Sequence, residues 1–194
     1  MKGLSKKQQE IRDRHERVLQ AGRGLLLSAG YHKLTMARVA RGTGCSKATV
    51  YQHFACKEEL ILALATRSVE KQYTLVEQAA RFQGRPRERM VAIGEATQLF
   101  ARLHSADTRL FQIVTGEAVL QKVSETSIQD LRRAGMRAVE VMMGIGRDAI
   151  AAGDLVLQPG HALADLIYHM WLLGESGKAS MATWLPPAEM GVKQ

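Results

Sequence analysis

The stretch C-S-K-A-T-V-Y-Q-H-F, Cys45 to Phe54, lies between V-A-R-G-T-G and A-C-K-E-E-L and decides how the N-terminal third is read. Ser46 is a residue of helix-start type. Val50 and Phe54 are apolar at i, i+4 spacing, which gives a short helix one buried stripe. The remaining positions, Lys47, Ala48, Thr49, Tyr51, Gln52 and His53, are nearly all donors or acceptors. A helix running from Ser46 to about His53 therefore packs on one side and offers hydrogen-bonding groups on the other.

The residues upstream complete a motif. Ile11, Val18, Leu19, Leu25, Leu26 and Ala29 follow helical spacing from about Ser5, and Gly30-Tyr31 ends that helix. Gly22 and Gly24 weaken it by roughly 1 kcal/mol each relative to alanine. Thr35 is placed to cap a second helix from Met36 to about Gly42, and Thr43-Gly44 makes the turn into the third. Val39 and Ala40 are apolar where the second and third helices must meet, with Ala40 small at the closest approach. Phe54-Ala55-Cys56 leads into a fourth helix from Lys57. Three short helices with a glycine turn between the last two describe a helix-turn-helix, whose polar third helix suits the major groove of DNA.

Charge supports that partner. The net charge is +8. Residues 1–60 hold twelve Lys and Arg against five Asp and Glu, or +7, leaving +1 for the rest. A basic segment on a nearly neutral body points to a polyanion for that segment alone.

The run G-Y-H-K-L-T-M-A-R-V-A-R-G-T-G-C-S-K-A-T-V-Y-Q-H-F-A-C-K-E-E-L-I-L-A-L resembles the DNA-binding domain of the tetracycline-repressor (TetR) family of bacterial regulators, over about residues 10–64. T-V-Y-x-H-F followed by K-E-E-L carries most of the specificity. Ala48 stands where glycine or proline is frequent in the family, and Leu26 where phenylalanine is common. The resemblance implies phosphate contacts from Thr35, Tyr51, His53 and Lys57. It implies base or groove contacts from Ser46, Lys47, Ala48, Thr49 and Gln52. Lys57 also opens a helix whose N-terminal dipole favours phosphate, and the Gln52 amide can pair bidentately with adenine. For Tyr51 and His53 the alternative role is packing within the small domain.

Beyond Lys57 the whole chain reads as helix, so the fold class is all-α. A helix-turn-helix domain over residues 1–58 is joined to a larger helical domain, residues 59–194, which the resemblance implies serves effector binding and dimerisation. The fourth helix extends to the region of Ala80, Gln83-Gly84-Arg85 breaks it, and Pro86 starts a fifth running to about His104. Ser105-Ala106-Asp107 reads as another break, Thr108 to Val123 as one or two short helices around Gly116, and Leu155 to Gly160 as a loop. From Ile128 a stripe of Ile128, Leu131, Gly135, Ala138, Met142 and Ile145 alternates spacings of three and four. A last helix, about His161 to Lys178, presents Leu163, Leu166, Ile167, Met170, Leu173 and Gly174 on one face. Paired stripes suit a four-helix bundle built from two subunits, as TetR-like proteins usually dimerise, or else the core of one subunit.

The family resemblance also implies a small-molecule cavity among the middle helices, for which Phe100, His104, Phe111, Met143, Tyr168 and His169 are candidates by residue type, with Met142 shared with the stripe. His161, Asp165 and His169 recur at four-residue intervals; a metal site is the sharper reading and a solvated polar face the favoured one. No metal and no other cofactor is therefore expected. G-x-S-x-G, H-E-x-x-H and G-x-x-x-x-G-K-[ST] are absent, which argues against an enzyme. Cys45 and Cys56 lack metal or redox spacing and read as free thiols. No apolar run approaches the roughly 20 residues that span a bilayer, and a cytoplasmic location is expected. The resulting expectation is a homodimeric repressor that binds a palindromic operator and is released by an unknown small-molecule effector. The alternatives are a non-specific nucleic-acid-binding protein and, less favoured, a helical enzyme or metal-binding protein.

Overall fold

A computed structural model of the chain describes residues 5–114 and 117–183, with the side chains of Phe111, Gln112, Glu117, Ala118 and residues 175–183 outside the description. The helices among the described residues are α1 (Lys6–Ala29), α2 (Met36–Thr43), α3 (Lys47–His53), α4 (Lys57–Ala80), α5 (Pro86–Leu103), α6 (Ser105–Val114), α7 (Glu117–Leu120), α8 (Glu125–Ala151) and α9 (Leu163–Thr183). No strand occurs among the described residues. The all-α expectation is met.

Local chemistry sets the helix ends. Ser5 starts α1 with a capping box: its hydroxyl accepts from the Gln8 N–H, and the Gln8 side chain accepts from the Ser5 N–H at 2.9 Å. Gly30 closes α1, and Tyr31–Lys33 adds one 3-10 turn. Thr35 caps α2 through the Arg38 N–H. Gly44 ends α2 at φ 68°, a left-handed conformation that residues with a Cβ seldom adopt. The Cys56 sulfur accepts the Glu59 N–H in the first turn of α4. Pro86 opens α5.

The chain divides into two compact units. The first takes in Met1–Arg67 and Arg109–Leu131, the second Ser68–Thr108 and Arg132–Gln194. This division by compactness is distinct from the division by role drawn at residues 58/59, because the first unit also recruits chain from α6, α7 and the start of α8. The core of the first unit joins Val18, Leu19 and Leu26 of α1, Val39 and Ala40 of α2, Val50 of α3 with Phe54 at its C-terminal end, and Leu60 to Leu62 of α4, with Leu110 and Val114 of α6. The second unit has a smaller cluster of Val76, Ile93 and Ile145, with Ala138 and Met142 packed against it.

Two sequence boundaries are corrected. The chain turns at His104 alone, and α6 starts at once at Ser105. Asp107 is no helix cap; its carboxylate is buried and accepts from the Ser68 hydroxyl at 3.0 Å. The last helix starts two residues later than His161 and runs to Thr183, because the Asp165 carboxylate accepts the Ala162 N–H at 2.9 Å and so fixes its first turn. Gly116, expected between two short helices, lies outside the described residues.

The two weakening glycines of α1 differ in kind. A Cβ on Gly22 would overlap the side chain of Leu60, which is fully buried, whereas a Cβ on Gly24 meets nothing within 4 Å. Gly22→Ala is expected to cost about 1–3 kcal/mol through overpacking, and Gly24→Ala to gain up to about 1 kcal/mol. Urea unfolding of both variants measures this; equal effects would contradict the packing of α1 on α4.

Candidate nucleic-acid interface

The exposed face of α3 exists because its other face is spent on the core. Val50 is 0 % and Phe54 7 % exposed, while Lys47, Ala48, Tyr51 and Gln52 lie exposed. Ser46 caps the helix by accepting the Thr49 N–H at 3.1 Å, and the Ser46 and Thr49 hydroxyls are 2.9 Å apart. These two hydroxyls therefore serve the helix start. Tyr51 is 52 % exposed, so its ring does not close the small core. His53 does pack: its ring meets His15 of α1 edge-on at 5.5 Å, and His15 lies 4.8 Å from Phe54.

Thr35, Tyr51 and Lys57 come together around an open hollow of about 310 Å³ that Leu34, Met36, Ala55, Cys56 and Glu58 also line. Three phosphate-contact candidates from separate elements thus share one surface. Lys57 does not wave freely. Its ammonium sits 4.0 Å over the Tyr31 ring and 3.3 Å from the Tyr31 carbonyl. The Tyr31 hydroxyl in turn donates to the Glu58 carboxylate at 2.9 Å. Sequence reading missed Tyr31, whose partners lie 26 and 27 residues onward with no local spacing to mark them.

A second carboxylate anchors the same turn. Glu59 accepts the Ser124 N–H and the Ser127 hydroxyl, both at 2.6 Å, at the start of α8. The Lys122 ammonium stands 3.7 Å from Glu58, and the Cys56 thiol donates to the Lys122 carbonyl at 3.4 Å. Burial pushes the carboxyls of Glu58 and Glu59 up. The hydrogen bonds of Tyr31 to Glu58 and of Ser127 and Ser124 to Glu59 outweigh it, so both sit below the ordinary carboxylate value. Burial, and then the Glu58 hydrogen bond and charge, raise the Tyr31 phenol.

The effector candidates fall into two groups. Phe100 is buried and tilted 4.9 Å from the His104 ring, whose Nδ1 lies 3.3 Å from the Lys71 ammonium. Tyr168 and His169 are exposed on α9, with ring centroids 6.0 Å apart. Met143 is half-buried, and the Phe111 side chain lies outside the description.

The proposed dimer stripe splits as well. Ile145, Leu163 and Ile167 are buried inside the chain itself, so they have no surface left for a partner. Ile128 and Leu131 pack on the first unit's core, Ala138 and Met142 on the second's. Leu166 is half-buried, and Gly135 and Gly174 face open space. Met170 and Leu173 of the α9 stripe are exposed, Leu173 at 74 %, and so are Tyr168, Trp171 and Leu172 on the same helix.

Asp165 is committed to the start of α9 and His161 precedes the helix, so the four-residue interval does not hold the three side chains on one turn-to-turn face. Among the described residues no group of three or more His, Cys, Asp or Glu side chains converges for a metal. Cys45 and Cys56 are free thiols. No helix of the described residues is long and apolar enough to cross a membrane.

Burial lowers the His15 imidazole below its ordinary 6.5, and the charges of His53 and Arg67 add to this against Glu16. Burial and Arg14 lower His53 likewise. The unfolded chain then takes up protons first. The stabilisation is complete above about pH 6.5 and is lost as pH falls through the lower folded values. Thermal unfolding at pH 7.5 and 5.5 should show the loss, and His15→Phe should shrink it; an unchanged difference would remove the pair from the account.

Residues 18–64 match the family described as bacterial regulatory proteins, tetR family. The chain is 30% identical over 151 residues to the HTH-type transcriptional activator FasR of Mycolicibacterium smegmatis, covering 72% of this chain and 69% of that protein. Its fold is similar to that of a tetR-family bacterial regulatory protein from Rhodococcus RHA1. The TM-score is 0.66, with 18% identity over 89% of this chain and 85% of that one. A tetR-family regulator from Syntrophomonas wolfei gives a TM-score of 0.67, with 13% identity over 89% and 84%. The helix-turn-helix, its polar third helix and these matches agree: the chain belongs to the tetR family of bacterial transcriptional regulators and is not an enzyme.

Proposed function

We propose that the protein is a homodimeric repressor that binds a palindromic operator, one α3 per half-site, and is released by a small-molecule effector. The observation that carries the DNA reading is the exposed polar face of α3, held on a buried seam beside a surface that gathers Thr35, Tyr51 and Lys57. In this reading Gln52 pairs with a base edge while Lys47, Ala48, Thr49 and Ser46 line the groove. Thr35, Tyr51, His53 and Lys57 hold phosphates. The caps and ring contacts shift the weight toward Lys47, Tyr51, Gln52 and Lys57, whose polar ends are not spent on the helix start or on His15.

Dimerisation is supported by the apolar run on α9, because Tyr168, Met170, Trp171, Leu172 and Leu173 are all exposed there, which water does not favour. Residues 1–58 would carry the DNA contacts and 59–194 the dimer and effector sites, with Phe100, His104, Phe111, Met143, Tyr168 and His169 as the effector candidates. Effector binding would bias α4, whose first turn bears Lys57, and so the separation of the two α3 helices. Losing one half-site would remove most of the bivalent affinity. A second reading, activation, is favoured by the similarity to FasR, a transcriptional activator; transcription in vitro from a promoter carrying the site decides between them by its sign.

Gln52→Ala should flatten base preference by about 1–3 kcal/mol, and Lys57→Ala should weaken all duplexes about equally. Titrating both variants against matched and mutated duplexes checks this. Equal losses on every sequence from both would defeat specific readout and favour a non-specific nucleic-acid-binding protein.

A further inference from the structure

The family match begins at residue 18, yet α1 begins at Lys6, about three turns earlier. Those turns are built: the capping box at Ser5 and Gln8 starts them, and the Gln9 amide donates to Asp13 at 2.9 Å. They contribute no buried residue to the core. Helical spacing places Lys7, Ile11, Arg14 and Val18 along one stripe. Val18 is buried in the first unit, but the stripe continues outward through half-buried Arg14 and Ile11, 48 % exposed, to exposed Lys7. One residue on, His15 packs against His53, the last residue of α3. Arg14 lies close enough for its charge to act on His53. This flank of α1 therefore runs outward from the C-terminal end of the recognition helix.

The acidic residues of this stretch are disposed differently. Glu16 is paired with Arg67 at 2.6 Å and accepts from Gln20, on the flank away from Lys7 and Arg14, and Asp13 is bonded to Gln9. Glu10 shares the Arg14 flank but forms no ion pair among the described residues, and neither do Lys7 and Arg14. A helical extension without a core, carrying unpaired cations beside the end of α3, offers positive charge to a polyanion lying along that helix.

We infer that the leading turns of α1, residues 6–17, are a second DNA-contacting element that grips phosphates flanking the half-site through Lys7 and Arg14. This rests on the DNA-binding reading above. The test uses the full chain on the duplex that it selects, with long and with trimmed flanks, following the dependence of affinity on salt. The double variant Lys7→Ala/Arg14→Ala should lower the slope of log K against log salt by about 0.9 per lost contact, roughly 1.8 per protomer, without changing base preference. Trimming the flanks should bring the wild type to the slope of the variant. Arg12→Ala, on the opposite flank, should leave the slope unchanged, and circular dichroism should show α1 still helical. A double variant with the wild-type slope, on a duplex that the wild type binds specifically, overturns the inference while the DNA-binding reading stands. A wild type that selects no sequence overturns both, and loss of affinity in Lys57→Ala alone reports on the reading without the extension.

Discussion

A seven-residue helix has almost no stability of its own in water, because the cost of nucleation is spread over too few hydrogen bonds. Everything α3 presents to solvent therefore depends on the seam beneath it, where Val50 and Phe54 meet Val39, Ala40, Val18 and Leu60. That seam is tight enough that Gly22 of α1 has no room for a side chain against Leu60. Rigid support of this kind lets Lys47 and Gln52 project polar ends without first having to be ordered.

Around this seam the ionisable groups are arranged as two fixed knots. One ties Lys57, Tyr31, Glu58 and Lys122 together and turns a flexible lysine into a positioned cation. The other ties Glu59 to Ser124 and Ser127, so the first turn of α4 and the first turn of α8 share one carboxylate. Both carboxylates sit below the ordinary range because their hydrogen bonds outweigh their burial, and they stay charged at neutral pH.

The helix-turn-helix was legible because its signals are local. Ser46, Thr35 and Gly44 each act on residues within a few positions, and the structure uses each as the sequence suggests. Tyr31 escaped because its meaning comes from Lys57 and Glu58, far along the chain. The stripe from Ile128 correctly marks one apolar face of α8, yet periodicity says nothing about what covers it, and Ile145 proves to be covered from within. The start of α9 was placed two residues early for a related reason: spacing does not mark a helix end, and the Asp165 carboxylate determines where that helix begins.

The claim at the centre of this account is that two copies of α3, each held on its seam, read two halves of one symmetric site. Selection of binding sites from random duplex DNA, with the mass of the complex in solution measured alongside, tests it most directly. The account predicts one enriched sequence with two-fold symmetry, bound by two protein chains per duplex. Salt-sensitive binding with no enriched sequence, or a single chain on an asymmetric site, would contradict it.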